Sequence, residues 1–342
     1  MDLKTAAKAV RKGDIAPVYL LYGTEKYQMT QFVDMLQEHI IEKEHREFAV
    51  IPYDLTDTPL EAVVEEAETV PFLVPKKLVL VRDAGVFTAG KDGGKVEHRL
   101  DTLAAYIENP AEYSVIVFMV HADKLDERKK IVKQIKNTAA VITFSPLSSE
   151  ELLSWVEKRA VERHVALEAG AAAALVRNAG TGLQALAAEI DKLCLFAGEG
   201  GTIGVKDIDS LVARSTEQNV FVMVEELANL RMENALSIFY ELLKQREEPI
   251  KIAALITRQF RIILQVKELA QQSYSQQQVA GQLGLHPYAV KIAGEQARRF
   301  PPERLRWILN ELAELDYRMK TGAVDKVLGM ELFFLKLGAQ TV

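Results

Sequence analysis

The stretch SVIVFMV (114–120) constrains the fold more than any other part of the chain. Its apolar residues follow one another without the alternation that a strand with one wet face shows, so this strand is expected to be covered on both faces. Four more segments read as strands: PVYLLYG (17–23), REFAVIPYDL (46–55), KLVLVRD (77–83) and AVITFSP (140–146). Helical patterns stand between them, at Met29–Lys43, 59–69, 97–108 and around Glu127–Lys136. In 59–69, Leu60, Val63, Val64 and Ala67 share one face at a 3.6-residue period. The polar, glycine-rich GVFTAGKDGGKVEHR (85–99) reads as a loop. Strands alternating with helices predict an α/β domain with a mostly parallel sheet over residues 1–146.

After SPLSSEELLSW (145–155) the strands stop. Ser148 or Ser149, with Glu151 or Leu152 behind it, signals a helix start. Helical patterns follow at 149–164, 168–178 and 182–197, and FAGEGGTIGVKDIDSL (196–211) reads as a glycine-rich turn plus a short helix. This predicts a small helical domain over 147–213. A third domain, 214–342, is expected to be helical throughout, with Pro249, Pro287 and FPPE (300–303) at helix boundaries. A chain of 342 residues is also too long for one ordinary core.

No run is long and apolar enough to span a bilayer, and MDLKTAAKAVRKGD lacks a signal-peptide core. Cys194 is the only cysteine, so no internal disulfide can form and a cytosolic protein is expected. The net charge of -6 argues against a dedicated nucleic-acid binder, which is usually basic. The balance is uneven, with 25 Lys and Arg against 33 Asp and Glu in residues 1–213, and 17 against 15 beyond. Any nucleic-acid contact is therefore expected from the last third.

The first strand runs into a glycine and then a helix, the place where a phosphate-binding loop of pattern G-x-x-x-x-G-K-[ST] would sit. Counted from Gly23, the pattern closes on Thr30, but Gln28 stands where the second glycine belongs and Met29 where the lysine belongs. Gln28 restricts the backbone, and Met29 removes the cation that neutralises phosphate charge. The strand SVIVFMV ends in Val120-His121-Ala122, with no acid before Asp123 to hold Mg²⁺. In AGTGLQAL (179–186), Gln184 stands where this type of ATPase carries a phosphate-sensing arginine. Together these losses describe a degenerate ATPase. Other chemistry is sparse: the six histidines form no metal-ligand pair and no cluster with Cys194, so neither a metal site nor a cofactor is expected. His121 reads as a structural residue.

These residues carry a resemblance. YLLYGTEKY, VPFLVPKKLVLVRD, GTGLQALAAEIDKL, ITRQFRIILQVKEL, HPYAVKIAGEQARRF and LDYRMKTG resemble the delta subunit of the bacterial DNA polymerase III clamp loader, in order and across nearly the whole chain. The resemblance implies an AAA+-like fold in three parts: an α/β domain, a helical lid and a helical collar. It implies no catalysis of its own, and a non-catalytic place in the DNA-directed DNA polymerase holoenzyme. Its implied partners are the beta sliding clamp, the tau/gamma ATPase subunits, delta-prime and primed DNA. The loader would be a heteropentamer, the isolated chain a monomer, and the location cytoplasmic at the replisome. The rival readings are an unorthodox P-loop ATPase and a non-replicative AAA+-derived adaptor.

The family's clamp-binding element is a small apolar pair, which falls here on Phe72 and Leu73 in ETVPFLVPKK (68–77). Pro71 and Pro75 bracket the pair and exclude mid-helix and mid-strand placement. Val70, Phe72, Leu73 and Val74 put apolar side chains in a loop, where an exposed patch can anchor a partner. The alternative is that the loop folds back and buries Phe72. In the collar, NVFVMVEEL, ALSIFYELL and IAALITRQFRIILQV carry wide apolar faces. Arg258, Arg261, Arg298 and Arg299 are candidate DNA-facing residues, though a solvated helix face explains them as well.

Overall fold

The computed structural model describes residues 1–90 and 96–339; part of the predicted loop 85–99 lies outside the described residues. The chain divides into two compact units, Met1–Pro146 and Leu147–Val342.

Among the described residues the first unit contains five strands: β1 (Val18–Gly23), β2 (Val50–Asp54), β3 (Lys77–Arg82), β4 (Ser114–Val120) and β5 (Ala140–Phe144). They form one sheet in the order β2-β3-β4-β1-β5, and every neighbouring pair is parallel. The helices that accompany them are α1 (Leu3–Arg11), α2 (Lys26–Ile40), α3 (Arg46–Ala49), α4 (Leu60–Glu68), α5 (Leu100–Glu108) and α6 (Lys130–Thr138). The unbroken apolar strands have the expected cause. Leu20, Val79, Val81, Ile116 and Phe118 pack with α4, α5 and α6 on one face. Tyr19, Leu21, Leu78, Leu80 and Val117 pack with α1 and α2 on the other. Adjacent residues on one strand thus serve two cores, since strand side chains alternate in direction.

Two boundaries differ from expectation. Residues 46–49 are a helical turn, so β2 starts only at Val50. The helix expected from Met29 starts three residues earlier, at Lys26.

The second unit opens with α7 (Ser149–Glu162), where Ser148 and Glu151 form a reciprocal capping box. There follow α8 (Ala171–Ala179), α9 (Leu183–Ala197) and α10 (Val205–Leu211). Strands do not stop entirely: β6 (Ala166–Leu167) and β7 (Thr202–Ile203) pair in parallel, too short to be read from periodicity. Seven more helices run from α11 to α17: Thr216–Ala228, Met232–Lys244, Pro249–Gln271, Gln276–Leu283, Pro287–Ala297, Pro302–Lys320 and Lys326–Ala339. Pro249, Pro287 and Pro302 each stand at the start of a helix, where the missing N–H is harmless. All seven helices contribute to one core, from Val220 to Leu337. The segments 147–213 and 214–342, expected as separate domains, belong to the same compact unit.

Candidate functional site

Gly23 ends β1 opposite Phe144 of β5. Its φ is 140°, and a Cβ there would run into the Phe144 carbonyl. The Glu25 amide donates to that same carbonyl at 3.0 Å. Gly23 is therefore explained by the tight approach of two strands and needs no phosphate. Only Thr24 and Glu25 separate β1 from α2, so the segment that would wrap a phosphate is already helical. Met29 is fully buried among Leu21, Phe32 and Phe144. Gln28 is half-buried and Thr30 exposed.

The start of α2 also carries a carboxylate, Glu25 at the N-cap. Burial pushes its pKa up, offset in part by the Tyr27 amide. A helix N-terminus attracts anions, and here the protein has put its own acid there. His121, at the end of β4, is exposed. Burial of the ring, then Lys26, hold its pKa below the ordinary histidine range against the pull of Asp83. Gln184 is exposed on α9. Among the described residues, no group of three or more His, Cys, Asp or Glu could hold a metal ion.

The other candidate site lies between α4 and β3. Val70, Phe72 and Leu73 are 70%, 81% and 73% exposed, so the loop does not fold Phe72 into its own core. Leu73 adopts φ 65°, a conformation uncommon for a branched side chain, which marks the apex. Pro71 is half-buried. Val74 packs against the core on the α2 face of the sheet. It is half-buried, unlike the exposed Phe72 and Leu73 beside it.

The base of this loop is closed by polar contacts that periodicity could not reveal. A helix leaves its last four carbonyls without helical partners. In α4 all four are satisfied. The Glu65 carbonyl accepts from the Thr69 amide and, at 2.8 Å, from its hydroxyl. The Glu66 carbonyl accepts from Lys77 Nζ. The Ala67 and Glu68 carbonyls accept from the Ser114 and Tyr113 hydroxyls, each at 2.6 Å. Lys77 Nζ also meets the Glu66 carboxylate at 2.6 Å, although Lys77 is only 2% exposed. That carboxylate faces Tyr53, whose pKa is raised by burial first and then by Glu66.

The four candidate arginines lie on α13 (Arg258 and Arg261) and at or just beyond the end of α15 (Arg298 and Arg299). Arg258 faces Glu217 at 3.9 Å and lines a cavity with Arg177 and His286. Arg299 lines an adjoining cavity with Gln296. Arg298 lines a third cleft of about 540 Å³ with Lys267, Tyr274 and Lys291. Arg261 is exposed on α13.

The parallel sheet order, with a closed phosphate turn and a helical second unit, defines an AAA+-like protein of the clamp-loader type. The family model for "DNA polymerase III, delta subunit" matches residues 19–145, and that for its C-terminal domain matches residues 217–337. The chain is 41% identical over 330 residues to DNA polymerase III subunit delta of Bacillus subtilis (strain 168), covering 96% of this chain and 95% of that protein. It is 24% identical over 243 residues to the probable DNA polymerase III subunit delta of Aquifex aeolicus (strain VF5), covering 70% of this chain and 67% of that protein. The solved structure of the Bacillus subtilis DNA clamp loader delta protein superposes with a TM-score of 0.77 at 40% identity, covering 98% of this chain and 99% of that one. The chain belongs to the DNA polymerase III delta subunit family.

Proposed function

We propose that this chain binds the ring-shaped beta sliding clamp through Phe72 and Leu73 and holds it open for loading onto primed DNA. The observation that carries the reading is the exposed pair at the apex of a short loop whose base is fixed on every terminal carbonyl of α4. Apolar side chains held in water at a defined position have surface to bury on a partner. The test is clamp binding by the purified chain, wild type against Phe72→Ala/Leu73→Ala.

In this reading the chain does not hydrolyse ATP. Support comes from the two-residue turn before α2, the buried Met29 and the acid at the helix start. The purified chain should release phosphate from ATP no faster than a buffer blank. Hydrolysis above the blank that is lost on Thr30→Ala would refute this.

Residues 214–342 are assigned the role of the collar that assembles with the tau/gamma ATPase subunits and delta-prime, and residues 147–213 that of the lid. Contact with primed DNA is assigned to the assembled loader. The strongest support for the collar is α17, which buries Met330, Phe333, Phe334 and Leu337 yet leaves Leu328, Leu332 and Leu335 about half exposed. Leucines left exposed on the outer face of a helix are apolar surface that a partner can bury. Changing these three leucines to serine should weaken assembly with the other loader subunits at least tenfold, since each buries part of about 1.5–3 kcal/mol. Thermal stability should stay close to wild type because the inner face is untouched. Normal assembly of the variant, measured by gel filtration with the partner subunits, would place the collar interface elsewhere.

A further inference from the structure

We infer that Lys77, Tyr113 and Ser114 are positioning residues that hold the Phe72-Leu73 apex in its partner-binding conformation by capping the C-terminus of α4. The inference rests on the reading of this loop as the clamp anchor.

Thr69, a loop residue itself, closes only the Glu65 and Glu66 carbonyls. The remaining contacts come from residues that follow the loop or lie far from it in sequence: Lys77 on the Glu66 carbonyl, Ser114 on Ala67 and Tyr113 on Glu68. Lys77 and Ser114 are also register partners at the first positions of β3 and β4. The Lys77 amide donates to the Tyr113 carbonyl at 2.9 Å. The end of α4 is thereby tied to the start of two central strands, and the loop leaves and re-enters the fold through one closed base.

The apex itself stands clear of this base. Phe72 and Leu73 are exposed, and Val74 beside them packs inward. If the base loosened, the apex would sample many conformations, and binding would have to select one. A protein whose competent state is only partly populated binds more weakly by that fraction. A capped base removes this cost in advance, as preorganisation does generally.

The choice of Lys77 is informative. A lysine is almost never fully buried unless it is paired. Here its ammonium reaches both a helix-terminal carbonyl and the Glu66 carboxylate. Positive charge at a helix C-terminus is the favourable sign. A cation there serves the loop as well as the fold.

The test uses the full chain and purified sliding clamp. Tyr113→Phe/Ser114→Ala removes two hydroxyl caps and leaves Lys77, so the unit should fold. It should bind the clamp about tenfold more weakly, with a melting temperature within a few degrees of wild type, and amide exchange across residues 69–76 should speed up. In the Phe72→Ala/Leu73→Ala background the same two substitutions should change affinity less than twofold, because there is no apex left to position. Lys77→Met should lose affinity further, and Lys77→Arg should recover part of it. Unchanged affinity in the cap variant, or an equal loss in both backgrounds, overturns the inference. If Phe72→Ala/Leu73→Ala itself binds the clamp normally, the anchor reading has failed. Amide exchange then decides alone whether the caps fix the loop, and unchanged exchange overturns the inference.

Discussion

Replacing Phe72 and Leu73 together by alanine is expected to weaken clamp binding by a factor on the order of 10²–10⁴. Burying an aromatic and a leucine contributes about 1.5–3 kcal/mol each from area, and anchor residues often cost at least about 2 kcal/mol on truncation. At about 1.4 kcal/mol per tenfold, the two together span that range. The fold should barely respond. Both side chains are more than two-thirds exposed, at 81% and 73%, so they lose little in the folded state, and the base of the loop is held by other residues. The melting temperature should stay within a few degrees, and the variant should still join the other loader subunits while failing to load clamp. Surface plasmon resonance against immobilised clamp, with a thermal melt, checks both halves. Unchanged affinity would move the contact elsewhere. A large fall in melting temperature would mean that Phe72 serves the core.

How much of this was legible in the sequence depends on the range of the interactions involved. The two-faced sheet could be read because a strand covered on both sides leaves a local trace, an unbroken apolar run such as 114–120. The apolar loop could be located because Pro71 and Pro75 exclude regular structure around it. That Phe72 points outward could not be read, because exposure depends on what packs nearby, and a Phe in a loop fits either outcome. The base of the loop was missed altogether. Tyr113 and Ser114 lie 45 and 47 residues from the carbonyls that they cap, and nothing in their local sequence marks them. Lys77 reads as the polar start of a strand, although it is only 2% exposed. The helical turn at 46–49 reads as part of the strand that follows because Phe48, Ala49, Val50 and Ile51 form a continuous apolar run.

The phosphate loop holds the sharpest difference between pattern and structure. The pattern places Met29 where a lysine would reach a phosphate, which makes it read as a lost ligand. The structure gives Met29 another task. Because α2 starts at Lys26, position 29 lies a turn into the helix and faces the sheet, where the thioether fills space between β1, β5 and the next turn of α2. Restoring the pattern should therefore not restore a site. The substitution Met29→Lys would put an ammonium into a fully buried position among apolar side chains. The lysine must then either keep its charge at a desolvation penalty of several kcal/mol or give up its proton, and buried lysines show pKa values lowered by up to about 3–5 units. Either route predicts a loss of roughly 3–5 kcal/mol. At roughly 2–4 °C per kcal/mol for domains of about this size, the melting temperature should fall by roughly 6–20 °C. Stability should also become pH-dependent. The lysine pKa is depressed in the folded state and ordinary in the unfolded state, so the unfolded chain binds the extra proton at neutral pH and stability rises as pH is raised towards the unfolded value. Adding Gln28→Gly should deepen the loss, because glycine in a helix interior costs up to about 1 kcal/mol, and the double variant should bind no more ATP than wild type. Calorimetry at two pH values and a nucleotide-binding assay measure both consequences. A double variant that melts like wild type and gains ATP binding would show that the turn can reopen into a phosphate cradle, and that Met29 is a lost ligand after all.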